Sequence, residues 1–175
     1  MKTRGIRTGA AASLPDGVRI REASPADRDQ LAEFIAALSP QSRHNRFFIT
    51  MTRPAEPVLR MLCGTPGTDA IVATSADMII GHVMVIDSLT PAGLRSGDAG
   101  IVVADAWHSR GVGTALALTV AARAASRGVT ALTADIRPAN EQALSLISRL
   151  SPHARITRQD GQLHAVIPLG TPIKA

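Results

Sequence analysis

Between Asp98 and Ile136 the chain runs from an apolar stretch, through a turn punctuated by glycines, into a long alanine- and leucine-rich segment and back to an apolar stretch. That order constrains the fold more than any other feature. Asp98 to Val103 reads as a strand, and its Ile101-Val102-Val103 run predicts burial on both faces. Arg110-Gly111-Val112-Gly113 then precedes a helix over Thr114 to Ser126, stopped at Gly128. Val129 to Ile136 reads as the next strand. Two strands joined through one helix are parallel neighbours, because only a crossover connects strands that run the same way.

The flanking segments complete an α/β (α+β) domain with a mixed sheet. Val18 to Glu22 alternates as a first strand. Ser24-Pro25-Ala26-Asp27 has the signature of a helix start, and Leu31, Phe34, Ile35 and Leu38 follow at helical spacing. Ser39-Pro40 repeats the start signal for a short helix through Phe48, and Pro54 to Cys63 reads as a third, stopped at Gly64. Ala70–Thr74 and Ile79–Ile86 read as strands with Asp77 near their turn, and Pro91–Gly97 as a loop. Asn140 to Leu150 is a further helix, and Ala154–Arg158 with Leu163–Leu169 a closing hairpin around Asp160-Gly161. Residues 1–16 and 171–175 read as tails around a single domain over 17–170.

A helix N-terminus presents unpaired amides and partial positive charge. Gly111 and Gly113 let those amides approach an anion with no Cβ in the way. A diphosphate suits such a cradle, and so does a plain strand-to-helix turn that needs glycine for its own geometry. No Gly-Lys-Ser/Thr follows, and the G-x-G-x-x-G spacing is missing, so neither a Walker loop nor a Rossmann fingerprint is present. The formal charge is +5, from 19 basic and 14 acidic residues, and Lys2 and Lys174 are the lysines among them. An arginine-rich surface suits a polyanion. With one tryptophan, three phenylalanines and no tyrosine, the chain has little material for stacking bases, so no nucleic acid is expected. The lone Cys63 rules out an internal disulfide and fits a cytoplasmic location. No apolar run has the length of a membrane span, the N-terminus has no secretory signature, and no histidine spacing predicts a metal.

His108-Ser109-Arg110-Gly111-Val112-Gly113 resembles the acetyl-CoA motif of the GNAT family of N-acetyltransferases, written Gln/Arg-x-x-Gly-x-Gly/Ala, with histidine at the first position. Ile101-Val102-Val103 fits that family's fourth strand, and Arg137-Pro138-Ala139-Asn140-Glu141 its Pro-x-Asn segment. Leu38 to Phe48 resembles a segment of bacterial protein-lysine acetyltransferases and their GNAT relatives. The resemblance implies a mostly antiparallel twisted sheet whose fourth and fifth strands splay apart. It implies acetyl-CoA as co-substrate, with its arm along Ile101, Val102 and Val103 and its pyrophosphate on the amides of His108, Ser109, Arg110, Gly111, Val112, Gly113 and Thr114. Asn140 then holds the far side, or serves only as a helix cap. His108 adds a donor toward phosphate, or is an exposed loop histidine.

The implied reaction is direct transfer to a primary amine, of a protein lysine or a small molecule, in a monomer or homodimer. Asp98 falls where lysine-acetylating relatives carry a glutamate base, one methylene shorter, and it reads equally as a solvated strand-end carboxylate. Glu22, Glu33 and Asp105 are weaker alternatives. The family's tyrosine acid has no counterpart, and Ile147 stands at its position. Arg43, His44 and Arg46 either face the acceptor cleft, favouring a carboxylate-bearing acceptor, or form a solvated helix face. The short base and missing acid also allow a catalytically weak acyl-CoA-binding regulatory module.

Overall fold

The computed structural model describes residues 14–49, 51–90 and 92–170. Most of the expected N-terminal tail and all of the expected C-terminal tail lie outside the described residues. Leu14, inside the expected tail, is half-buried and packs against the core.

The strands are β1 (Val18–Glu22), β2 (Thr68–Ser75), β3 (Met78–Leu89), β4 (Arg95–Val103), β5 (Ala131–Ile136), β6 (Arg155–Gln159) and β7 (Gln162–Pro168). They form one seven-stranded sheet in the order β1-β2-β3-β4-β5-β7-β6. Every pairing is antiparallel except β4 with β5. The helices are α1 (Arg28–Ala37), α2 (Pro40–Phe47), α3 (Glu56–Leu62), α4 (Val112–Ser126) and α5 (Glu141–Leu150). The chain thus has the mixed fold implied by its sequence.

Local chemistry explains the boundaries. Asp27 accepts from the Ser24 amide at 2.7 Å, closing the capping box before α1. The Ser39 hydroxyl accepts from the Ser42 amide at 3.1 Å and caps α2, with Pro40 in its first turn. One expectation shifts: Arg95 to Gly97, read as loop from its turn-forming residues, continues β4. Those residues pair with Leu89, Ser88 and Asp87 of the long β3, and Gly97 fits where a Cβ would lie 2.5 Å from a Val85 methyl. Tertiary pairing overrides turn propensity there.

Apolar cores form on both faces of the sheet. On one, α4 buries Val112, Leu116, Val120 and Ala121 against Ile71, Val83, Val85 and Leu132. Alanine and leucine suit this long helix because both combine high helix propensity with an apolar face. On the other, Leu31, Phe34 and Ile35 of α1 and Leu59 and Leu62 of α3 cover Val72, Met84 and Val102. Cys63 is buried in this second core, and burial pushes its thiol up, so it behaves as a small apolar residue.

The C-terminal end of α4 is tied to the sheet by charge. Asp69 on β2, only 8% exposed, pairs with Arg123 at 3.0 Å and with Arg127 at 2.5 Å, while Arg127 reaches Asp87 at 3.0 Å. Desolvation works to raise the Asp69 carboxyl, but the two arginines prevail and hold it below its ordinary 3.8. Its contribution is therefore complete above that ordinary value and is lost as pH falls through the lower folded value. We expect Asp69→Asn to cost about 2 kcal/mol at pH 7, less than a fully buried pair because both arginines are partly solvated. Urea titration checks this: the midpoint drops with an unchanged slope, and the gap to wild type narrows on acidification.

Candidate functional site

The parallel pairing that defines the sheet's centre is short. β4 and β5 pair at Ser96–Ala131, Gly97–Leu132 and Asp98–Thr133, although β4 continues to Val103 and β5 to Ile136. Beyond Asp98 the strands part. On its β5 side, the backbone from Ala99 to Val103 has no ladder partner among the described residues. Buried backbone groups are almost always paired, so this edge is a ready binding strip. Divergence also accounts for the apolar run. Val102 is buried, whereas Ile101 and Val103 are only half-buried, since they border a cleft rather than a solid core.

Two adjoining cavities fill the gap. One, of about 400 Å³, is mostly apolar and reaches from Leu132, Ala134 and Ile147 to Asp98, Gly100 and Asp135. The other, of about 420 Å³, lies over Ile101–Val103, Ser109, Gly111, Gly113, Thr114 and Asn140. Arg46, Ile101 and Asn140 border both.

The second cavity ends on the N-terminus of α4. After Val103 the chain makes a 3-10 turn at Asp105–Trp107, and then Ser109 and Gly111 take positive φ of 59° and 85°. Gly111 is the N-cap, so the left-handed conformation that aims the first-turn amides falls on a residue that tolerates it. Ser109 has no such freedom and is held there at a cost of about 1 kcal/mol, the kind of strain that collects at functional sites. A Cβ at Gly113 would meet only a Val103 methyl at 3.7 Å, an ordinary contact. No neighbouring atom therefore demands glycine at 113; its bare Cα leaves the cradle open.

The side chains of the loop divide by role. Val112 is fully buried, so only its backbone faces the cradle. Arg110 stacks on Trp107 at 5.3 Å and does not line the cleft. The His108 Nε2–H donates to the Val103 carbonyl at 2.9 Å, and its Nδ1 accepts from the Gln142 amide at 3.1 Å. Both ring nitrogens are engaged, so the expected side-chain donor toward phosphate is not free; the imidazole instead clamps β4, the loop and α5 together. The tautomer follows from its partners. Asn140 accepts from the Ala143 amide at 3.2 Å as the α5 cap, and it also borders both cavities. Its side-chain NH₂ remains available for a ligand.

On the other side of the gap, Asp98 is exposed on β4. Its carboxyl is raised above the ordinary 3.8 first by desolvation in the cleft and then by Asp135, against the opposing pull of Arg46 and His164. Asp135 bonds His164 Nδ1 at 2.8 Å across β5 and β7. Sequence reasoning missed this pair. Strand alternation puts Asp135 on the face of Thr133, but only the register of a hairpin 29 residues away sets His164 beside it.

The α2 candidates separate. Arg46 borders both cavities, whereas Arg43 turns back to donate to the Ala36 and Leu38 carbonyls at 2.8 and 2.6 Å and closes the end of α1. His44 is half-buried and lines neither cavity. Asp105 accepts from the Ser39 amide and from the Ser39 and Ser42 hydroxyls at 2.7–2.9 Å. Desolvation opposes these bonds, but they bring its carboxyl down to about 2, which disqualifies it as a base. Glu22 is paired with Arg123 at 2.7 Å, away from the cleft. Among the described residues no three His, Cys, Asp or Glu side chains gather to hold a metal ion, and no helix is long and apolar enough to cross a membrane.

A splayed parallel pair, a helix-terminal amide cradle and an apolar channel between them fit a long thioester with a diphosphate at one end. Comparison with known proteins gives the same class. The acetyltransferase (GNAT) family pattern matches residues 33–151, more than half of the 175, and the chain belongs to that family. Acetyl-CoA-dependent N-acetylation is the family's reaction, and acetyl-CoA its acyl donor. No curated protein matches the chain. Among solved structures, the GNAT domain of PAT from S. lividans is 23% identical, with a TM-score of 0.79 over 87% of this chain and 90% of that one. The yncA protein of Salmonella typhimurium, solved with its cofactor acetyl-CoA, is 16% identical, with a TM-score of 0.69 over 90% and 97%. The ribosomal L7/L12 α-N-protein acetyltransferase RimL, solved with coenzyme A, is 10% identical, with a TM-score of 0.68 over 91% and 98%.

Gly113→Ala separates folding from binding. Alanine is the better helix former by about 0.5–1 kcal/mol, so thermal stability should hold or rise. A methyl in the cradle should weaken acetyl-CoA by about tenfold or more, roughly the 1.4 kcal/mol of one strong amide contact. Thermal melts and calorimetry on the same preparation read both effects.

Proposed function

We propose that this chain transfers the acetyl group of acetyl-CoA to a primary amine by direct attack, the acceptor being a protein lysine or a small amine. One observation carries the reading: β4 and β5 part immediately after Asp98, beside the amide cradle of α4. In this reading acetyl-CoA supplies an activated acyl carbon held in the gap. The amides from Ser109 to Thr114 take the pyrophosphate, since the His108 backbone N–H already donates to the Asp105 carbonyl at 3.2 Å, and Ile101, Val102 and Val103 pair with the pantetheine arm as a missing strand would. The Asn140 side-chain NH₂ adds a donor on the far side.

An amine attacks only after losing its proton, so the site needs a base that is ionised yet basic enough to accept one. Asp98 suits that task because desolvation and Asp135 lift its carboxyl above the ordinary range. Its short side chain reaches the amine directly or through one water. A β4 amide near Val102 or Val103 meets the charge that grows on the acyl oxygen. Ile147 is buried in the core, so no acid stands at that helix position. Thiols have a pKa of about 8.5, and the thiolate therefore leaves unassisted and takes its proton from solvent.

The test is acetyl-CoA consumption across a panel of amines and proteins, with mass spectrometry of the products. Turnover that yields an N-acetylated product supports the reading; binding without turnover on any acceptor makes the chain a binding module instead. Asp98→Asn should reduce kcat/KM about 10²-fold, the lower end of general-base effects, with acetyl-CoA affinity unchanged. The wild-type acid limb should rise with pH through the Asp98 pKa, above the ordinary 3.8, and be missing in the variant.

A further inference from the structure

Arg46 has no part in the reaction just described, yet it occupies the junction of both cavities. It keeps some surface toward the cleft while its charged end lies deep among protein atoms. A Cβ on Gly100 would fall 2.4 Å from its Cζ and 2.6 Å from both terminal nitrogens, so the guanidinium rests directly on the β4 backbone. The Phe47 ring lies 5.1 Å from the same carbon. Strand and ring together hold the group in one place.

What the guanidinium lacks is an anion. Its Nε is buried without a partner among the described residues, and Asp98 acts on it only through space. Burial lowers Arg46 to about 10, which leaves it charged at neutral pH. His82 is no help: burial first, and Arg46 second, lower it to about 4, so it is neutral. Buried charges are normally paired, because desolvation is repaid only by close contacts. A fixed cation with unused donors, facing a cavity where reactants meet, is the arrangement that takes a planar anion. Asp98 and Asp135 border the same cavity and disfavour a doubly charged phosphate more than a carboxylate.

We propose that Arg46 binds the carboxylate of a reactant, carried either on the free end of a dicarboxylic acyl group, such as succinyl or malonyl, or beside the acceptor's amine. This rests on the acyl-transfer reading above. Gly100 lies between Asp98, where the pairing with β5 ends, and Ile101, where the stretch assigned to the thioester arm begins, which suits the first source; the carboxylates of Asp98 and Asp135, ready for an ammonium group, suit the second.

The experiment uses the full chain and the variants Arg46→Met and Arg46→Lys, with two ratios measured inside each preparation. One is affinity and kcat/KM for succinyl- or malonyl-CoA over acetyl-CoA. The other is kcat/KM for lysine over lysinamide with acetyl-CoA. A ratio taken within one variant is independent of the fraction folded. In at least one arm, wild type should favour the carboxylate by about tenfold or more, Arg46→Met should abolish the preference, and Arg46→Lys should retain part of it. The arm that responds names the source. Replacing a buried ion by an apolar side chain of similar volume is often neutral or stabilising, so the melting midpoint of ligand-free Arg46→Met should hold or rise. Ratios near one in both wild-type arms, or a preference that survives Arg46→Met, would overturn the proposal. Binding of acetyl-CoA with no carboxylate preference sinks Arg46 alone; no binding of any CoA thioester sinks the acyl-transfer reading with it.

Discussion

The separation of β4 from β5 after Asp98 and Thr133 is the constraint on which the site depends. A sheet that stayed paired to Val103 and Ile136 would have neither a channel nor free strand-edge groups, and the amides of α4 would face a closed surface. The opening is held from both sides. The His108 imidazole fastens the end of β4 to the loop and, through Gln142, to α5. Asp105 fastens the following turn to Ser39 and Ser42 at the start of α2. β7, inserted between β5 and β6, pairs with all of β5, so that strand stays in the sheet while β4 leaves it.

Charge is used here mostly to build rather than to bind. Arg21 grips Asp27 in the first capping box, Arg28 pairs with Glu56 to join α1 to α3, and Arg123 and Arg127 lock α4 onto β2 and β3. Arg43 closes α1. An arginine-rich composition therefore does not by itself mark a polyanion surface. The cleft takes its positive character from amide groups and from Arg46 and Arg149, and its other face carries the Asp98 and Asp135 carboxylates.

Much of the fold was legible because its signals are local. Ser24, Ser39 and Asn140 announced their helices, and the apolar runs flanking α4 announced the crossover. The glycine loop was legible for the same reason: Gly111 and Gly113 act through their own backbone. The errors fell where long-range pairing decides. Arg95 to Gly97 looked like a loop until β3 paired with it, and Ile101 to Val103 looked doubly buried because a cleft-lining strand is as apolar as a core strand. For His108, Arg43 and His44 the sequence leaves two readings open; the side-chain hydrogen bonds of His108 and Arg43 run across elements, and His44 lines neither cavity. Asp135 and His164 went unread because their contact exists only in the assembled sheet.

The most direct test of the splayed-strand account is amide hydrogen exchange with and without coenzyme A, resolved by peptide. The account predicts new protection in the second half of β4, in the loop from His108 to Thr114 and at the start of α5, with β1 to β3 unchanged. Protection that skips β4 and the loop, or that spreads evenly over the chain, would contradict it.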